Sequence, residues 1–202
     1  IQTLSGGPGG SNAANSVFVD MSNGRQDSVA RASWDLGFYT GNDFRVVLNH
    51  TSGAGAKVTS KNDLADVNAN DTIGLTLATS PFDPQPTDLA YFDDLSGDIT
   101  KTVIPAISAK DVDNKVIILN RGTAGGIAPR SWIKLRVLQN TSGGYTLQYG
   151  GITETTFRTV NIPRDAEYNF KFVSLDNNGS IVSVEPEKAS WDIQWTYSIF
   201  KT

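Results

Sequence analysis

Cysteine is absent from this 202-residue sequence, and histidine and methionine occur once each, as His50 and Met21. Without cysteine the chain forms no disulfide bond, no thiolate nucleophile and no cysteine-ligated zinc site. A serine hydrolase needs a histidine base beside its nucleophile, and no G-x-S-x-G motif accompanies the single histidine. We therefore predict that the protein is not an enzyme.

Positive charge is scarce as well. The 17 Lys and Arg residues against 21 Asp and Glu residues give a net charge of −4, and no basic cluster exceeds two neighbours. Nucleic-acid-binding proteins neutralise phosphates with clustered basic residues, so we predict no nucleic-acid partner. No apolar run reaches the roughly 18 residues of a transmembrane helix.

The start of the chain differs in composition from the rest. Residues 1–14 are rich in Gly, Ser, Asn and Pro, which is typical of a flexible tether. We predict such a tether over 1–14 and a single β-rich domain over 15–202. A domain of that length can bury a core without covalent cross-links.

Alternation of apolar and polar residues dominates the chain and predicts an all-β fold of antiparallel sheets with long hairpins. Turn signals such as Gly41-Asn42 and Gly143-Gly144 separate the alternating segments. The predicted strands cover residues 16–20, 34–39, 43–49, 56–59, 115–120, 131–138, 145–149, 155–160, 168–173, 181–184 and 190–200. One turn of helix is expected near residues 87–92.

A rare phrase occurs twice, as "SWDLGFY" over 33–39 and "SWDIQWT" over 190–196. Each copy places apolar side chains on one face of a strand, so we predict two core strands, paired or facing each other. The serine and aspartate that flank each tryptophan are expected to hydrogen-bond to nearby turn backbone. The alternative is that one of the tryptophans stacks on a ligand.

The aspartate-rich segment over residues 83–98 offers hard oxygen ligands of the kind that calcium prefers. It lacks the spacing of an EF-hand loop, and solvated Pro-Asp loops are common. We therefore predict a solvated loop and no metal site, with calcium binding as the alternative.

Three separated phrases resemble the HmuY-like family of bacterial surface lipoproteins: "SWDLGFYTGNDFRVVLN", "NFKFVSLDNNGSIVSVEP" and "SWDIQWTYSIF". The resemblance implies a mostly β fold with finger-like hairpins. It also implies a lipid anchor upstream of residue 1 in a Gram-negative anaerobe, and hence a protein that is anchored to the outer membrane at the cell surface, or secreted. The founding members are haemophores for iron acquisition, which take haem from host proteins and pass it to an outer-membrane receptor.

The sequence departs from that family at the haem ligands. The resemblance implies two histidines or two methionines in the second half of the fold, and this chain has neither residue type after position 50. Counting back without gaps from Phe172-Val173 puts one ligand position at about Phe157, which cannot bind iron. Haem is thus expected from the resemblance alone, with altered or lost ligation.

The remaining candidate site residues are few. His50, Tyr145 and Tyr149 are candidate axial ligands, because an imidazole or a phenolate can hold haem iron. Trp132, Tyr145 and Tyr149 are candidates for an exposed aromatic binding surface. We predict a non-enzymatic, surface-exposed ligand-binding lipoprotein; the alternative is a structural or interaction module of a cell-surface complex that binds protein or glycan.

Overall fold

A computed structural model describes residues 1–80, 82–176 and 178–200. It contains twelve strands in three antiparallel sheets, which confirms the all-β prediction. The strands are β1 (Asn15–Asp20), β2 (Arg25–Ala30), β3 (Leu36–Tyr39), β4 (Val46–Leu48), β5 (Gly55–Val58), β6 (Ile117–Asn120), β7 (Ile133–Gln139), β8 (Tyr145–Gly151), β9 (Arg158–Ile162), β10 (Phe170–Ser174), β11 (Ser180–Val182) and β12 (Ile193–Trp195).

Helical structure in the described residues is confined to 3-10 turns. They cover Gly10–Asn12, Arg31–Ser33, His50–Ser52, Leu64–Asp66, Ala69–Thr72, Leu89–Tyr91, Asp111–Asp113 and Ala124–Gly126. The turn at Leu89–Tyr91 confirms the helical turn expected near residues 87–92. Across the described part of the chain, no helix has the length and apolar character needed to cross a bilayer.

The three sheets have simple strand orders. Sheet A is β12-β1-β2, sheet B is β11-β10-β3-β4, and sheet C is β5-β6-β7-β8-β9. The predicted hairpins β3–β4, β7–β8 and β10–β11 are all present. The strand β2 was not predicted, because its residues Arg25 to Ser28 are polar on both faces.

Sheet B lies between two apolar layers. Its β3 side chains Leu36 and Phe38 pack with sheet C in the largest core cluster. On β10, Val173 joins that same core, whereas Phe172 packs on the opposite side with Phe18 of sheet A. This alternation follows from the period of two along a strand, and it places an aromatic layer between sheets A and B.

The apolar run that includes the central strand β6 is buried on both faces, as an apolar run of this length predicts. Ile117 and Leu119 face the main core, whereas Val116 and Ile118 face a second cluster with Leu64. The segment that leads from β5 to β6 therefore covers the outer face of sheet C.

The two copies of the repeated phrase have different environments. Trp34 is 2 % exposed and Leu36 and Phe38 are fully buried, so the first copy is a core strand as predicted. In the second copy Ile193 is 49 % and Trp195 is 42 % exposed, so the prediction of a second core strand is wrong. The physical reason is that β12 lies at the edge of sheet A, beside β1, where one face is only partly covered.

The predicted contacts of the flanking residues are partly found. Ser33 Oγ donates to Ala30 O at 2.7 Å, and Asp192 Oδ2 accepts from Met21 N at 2.8 Å. Asp35 Oδ2 accepts from Leu175 N at 2.8 Å, just after β10, and Asp35 also forms a buried ion pair with Arg121, which the sequence did not indicate.

Residues 1–14, predicted as a tether, run along β2. Ser5 N donates to Gln26 Oε1 at 3.0 Å, and Gln26 Nε2 donates to Thr3 O at 3.0 Å. Arg31 Nε donates to Ala13 O at 2.6 Å. These bonds define the path of the segment, and its mobility stays a prediction.

Candidate ligand-binding cleft

An apolar cleft of about 290 Å³ lies between sheets A and B. We call it the aromatic cleft. Its aromatic lining residues come from four separate parts of the chain: Phe18, Trp34, Phe170, Phe172 and Trp191. This volume is at the lower end of the range for small-molecule sites, so a compact ligand fits it best.

The aromatic rings are packed edge to face. Trp34 meets Phe172 with ring centroids 4.8 Å apart, and Phe18 meets Trp191 at 5.0 Å. Such edge contacts contribute about 0.5–1.5 kcal/mol beyond the area that they bury. They hold the walls of the cleft in a defined arrangement.

A glycine makes room for this packing. Gly37 of β3 pairs with Phe172 of β10 and with Val47 of β4. A Cβ atom at Gly37 would lie 2.8 Å from Val47 Cγ2 and 3.2 Å from Phe172 Cε1. The missing side chain therefore lets Phe172 and Val47 approach each other beneath the cleft.

His50 lines the aromatic cleft and also a neighbouring cleft of about 290 Å³. It begins the 3-10 turn after β4, where the buried Asn49 side chain accepts bonds from Thr51 N and Ser52 N. Asn49 Nδ2 also donates to Arg31 O and Trp34 O. The backbone that carries His50 is therefore fixed, and the imidazole centroid lies 6.1 Å from that of Trp34.

His50 keeps exposed surface as a residue, while the protein that surrounds its imidazole partly desolvates the ring. This desolvation disfavours the charged form of the imidazole and lowers its pKa to about 4. At neutral pH the ring is thus uncharged, which is the state in which an imidazole nitrogen accepts a hydrogen bond or binds a metal.

Two carboxylates in the lining, the half-buried Asp93 and the buried Glu185, are held by backbone hydrogen bonds. Asp93 accepts from Leu48 N at 2.7 Å and from Val103 N at 2.8 Å, and burial raises its pKa to about 6. Glu185 accepts from Asn169 N at 2.6 Å and from Phe170 N at 2.7 Å, and burial raises its pKa. Each carboxylate therefore joins a loop to a strand that borders the cleft.

The aspartate-rich segment thus has a structural role that the sequence did not indicate. Asp93 anchors it to β4, while Asp94 and Asp98 bind the backbone of their own turns at Ser96 N and Thr100 N. Within the described ranges, no group of three or more His, Cys, Asp or Glu side chains is placed to hold a metal ion. The calcium alternative gains no support from this arrangement.

Two indole N–H groups at the cleft lack a partner. Trp34 Nε1 and Trp191 Nε1 are buried, and neither has a hydrogen-bond acceptor in the structure. A buried donor without an acceptor costs about 1–3 kcal/mol. Both rings line the aromatic cleft, but their nitrogen atoms are buried and are not open to it.

The two candidate tyrosines lie inside the main core. Tyr145 is 0 % exposed; its hydroxyl donates to Tyr39 O at 2.6 Å and accepts from Arg45 N at 3.1 Å. Burial raises the pKa of Tyr145 to about 12. Tyr149 is 1 % exposed, and burial raises its pKa too. The prediction that these rings form an exposed aromatic surface is wrong, because β8 turns both of them toward the core with Leu147.

Trp132 and Phe157 belong to another part of the fold. Both are partly buried and pack against the cluster on the outer face of sheet C. Neither of them lines the aromatic cleft. Of the candidate axial ligands and candidate surface aromatics, His50 is the one at this site. Trp34 and Trp191, for which ligand stacking was the alternative, also line it.

Comparison with known proteins assigns the chain to a family. A family model described as HmuY protein matches residues 12–171. The chain belongs to the HmuY family. The match includes β1 to β9 and the start of β10, whereas β11 and β12 lie beyond it. No curated protein and no solved structure matches the chain significantly.

HmuY membership raises the question of haem, and the described residues do not fit a two-ligand haem site. His50 is the one histidine, and Met21 lies in the turn after β1, 68 % exposed and not among the residues that line the cleft. Tyr145 and Tyr149 are closed off in the core. The cleft offers a single neutral imidazole and a largely apolar wall.

Proposed function

We propose that this HmuY-family chain is a non-enzymatic ligand-binding protein whose ligand occupies the aromatic cleft. The observation that carries the proposal is the cleft itself, in which five aromatic rings and the single imidazole converge. Apolar walls with a few convergent polar groups are the usual form of a small-molecule site.

Family membership supports a relationship to the haemophores of haem acquisition, and we infer that haem ligation is altered or lost in this member. The proposal also carries the expectations drawn from the family resemblance. These are a lipid anchor upstream of residue 1, a location at the outer-membrane surface, and an outer-membrane receptor or a host haem protein as partner.

A cleft-blocking variant tests ligand binding. Val47 lines the cleft from β4, so Val47→Trp should fill part of it. The matched control is Val112→Trp, at a position that is 63 % exposed and does not line the cleft. With naphthalen-2-ylmethanol as the probe, calorimetry should show binding to the wild type and to the control, and a loss of at least about tenfold in affinity for Val47→Trp. Equal binding to all three proteins would place the ligand elsewhere.

Haemin titration tests the ligation. We expect either no specific Soret change or the spectrum of a five-coordinate haem that is lost in His50→Ala, because a single imidazole is available. A six-coordinate low-spin spectrum that survives His50→Ala would contradict the proposal, since two other protein ligands would then be required.

The alternative function is a module that binds protein or glycan. It is favoured by one observation, the exposure of Ile193 and Trp195 on the edge strand β12. Loss of probe binding in Trp195→Ala but not in Val47→Trp would move the binding site from the cleft to that strand.

A further inference from the structure

The aromatic cleft has a strongly negative lining for a site so apolar. Four carboxylate residues line it: Asp93, Asp94, Asp98 and Glu185. Within the part of the chain that the structure describes, the lining contains no Lys or Arg. The only ionisable group besides the carboxylates is His50, which is uncharged at neutral pH.

The groups that donate hydrogen bonds to these carboxylates are mostly uncharged, so they do not neutralise the negative charge. Asp93 and Glu185 accept from backbone amides, which satisfies their oxygens without adding a positive charge. Asp94 is bound by Ser96 N and by the Ser96 hydroxyl. Among the described residues, Asp98 is the one of the four with an ion-pair partner, Lys101 at 3.0 Å, whose side chain is 67 % exposed. The charge of Lys101 also acts on Asp94, and that of Lys171 acts on Glu185. Two lysines do not balance four carboxylates.

The aromatic walls act in the same direction. The face of an aromatic ring carries partial negative charge and attracts a cation by about 0.5–2 kcal/mol. The four carboxylates line the same small cleft, and charges separated by less than a Debye length of about 10 Å at 0.1 M salt still interact. An anionic group that entered the cleft would therefore meet repulsion from the carboxylates, whereas a cation would be attracted by them and by any ring face that it reached.

We propose that the aromatic cleft selects a compact aromatic or quaternary-ammonium-type cation and rejects anions, including tetrapyrroles that carry two propionates. This inference rests on the proposed function and names the chemical class of its ligand. It also explains why a family resemblance to haem carriers coexists with a site that does not fit haem.

A charge series on a single ring system tests the proposal. The three probes are naphthalen-2-ylmethylammonium, naphthalen-2-ylmethanol and naphthalene-2-carboxylate, each titrated calorimetrically. At low ionic strength we expect the ammonium probe to bind about tenfold more tightly than the carboxylate probe. Salt should reduce this ratio, because it screens the carboxylates.

Variants that remove charge test whether the ratio of the two affinities, ammonium probe over carboxylate probe, depends on the carboxylates of the cleft. In Asp94→Asn/Asp98→Asn the amide oxygens can still accept the bonds from Ser96 N and Thr100 N, so the loop is preserved while two charges are lost. The control Asp63→Asn/Asp111→Asn removes the same charge outside the cleft; there Asp63 accepts from Ala65 N. The ratio should fall in the first variant and stay unchanged in the control.

The outcomes separate the two proposals. If none of the probes binds, the proposed function fails and this inference fails with it. If the neutral probe binds but the ammonium and carboxylate probes bind equally, or the carboxylate probe binds more tightly, only the charge selection is overturned. If the affinity ratio falls equally in both double variants, the preference for the ammonium probe comes from the net charge of the protein and not from the cleft. That result would also overturn the inference.

Discussion

Replacing Asp35 by alanine should destabilise the fold far more than the same change at Asp192, although both follow the same Ser-Trp pair. Asp35 is 1 % exposed and receives two bonds of 2.8 Å from Arg121, one of 3.2 Å from Arg130 and one of 2.8 Å from Leu175 N. Asp192 is exposed and accepts one backbone bond.

The expected magnitudes follow from these partners. Removing one member of a buried ion pair costs about 3–5 kcal/mol, because the other charge is left without compensation. Arg121 keeps a 2.9 Å contact with Asp176, whose side chain is 51 % exposed, so the lower end of that range is expected from the ion pair. Leu175 N also loses its acceptor, which adds about 1 kcal/mol. For Asp192→Ala the loss should be about 0.5–1.5 kcal/mol.

Equilibrium unfolding in urea, followed by tryptophan fluorescence, measures both free energies. A domain of this kind is stable by about 5–15 kcal/mol, so Asp35→Ala could be too unstable to study. Asp35→Asn then serves as the second variant, since it keeps the shape and loses the charge. Equal losses for Asp35→Ala and Asp192→Ala, with Asp35→Asn at wild-type stability, would refute the reasoning.

Two further predictions concern single groups. His50 is the only histidine, so its ring protons give an isolated NMR titration, and we expect a pKa of about 4 in place of 6.5. Since the folded pKa is lowered, the stability that it contributes is present above pH 6.5 and is lost as the pH falls through about 4; an unshifted titration would contradict this. Tyr145→Phe removes a hydroxyl that binds Tyr39 O and Arg45 N, so urea unfolding should show a loss of about 1–3 kcal/mol. The matched change Tyr149→Phe removes a buried hydroxyl without a partner and should be neutral or stabilising; the reverse order would be inconsistent with the structure.

Much of the fold could be predicted from the sequence because alternation reports directly on strands. The hairpins at β7–β8 and β10–β11 were readable from apolar positions two residues apart and from glycine turns. Strand β2 could not be found in this way. Its partner is β1 and its side chains are mostly exposed, so it forms through backbone pairing and leaves no apolar pattern.

Alternation also cannot say which face of a strand is covered. The apolar residues of β12 form as regular a stripe as those of β3, yet Ile193 and Trp195 remain partly exposed at the edge of sheet A. For Tyr145 and Tyr149 the prediction was wrong in the opposite sense, because they were expected to be exposed and are buried. They share a face with Leu147 in the sequence "YTLQY", and that shared face was a signal for the core.

The cleft itself could not be predicted from the sequence. Its aromatic residues are far apart in the chain, and Phe18, Trp34 and Phe172 meet only because sheet A packs on sheet B. Each ring taken alone fits the interpretation of a core residue. The one sequence signal was the alternative that a tryptophan of the repeated phrase contacts a ligand, which agrees with the positions of Trp34 and Trp191 at the cleft.

The charge of the cleft is tied to how the fold is held together. Asp93 binds the backbone of β4 and of the loop at Val103, and Glu185 binds the backbone at the start of β10. Replacing either carboxylate by an apolar residue would leave buried amide donors unpaired, at about 1–3 kcal/mol each. These two carboxylates are therefore costly to remove. On the charge selection that we propose, a variant that binds haem in this cleft would need a basic residue in the lining as well as a second iron ligand.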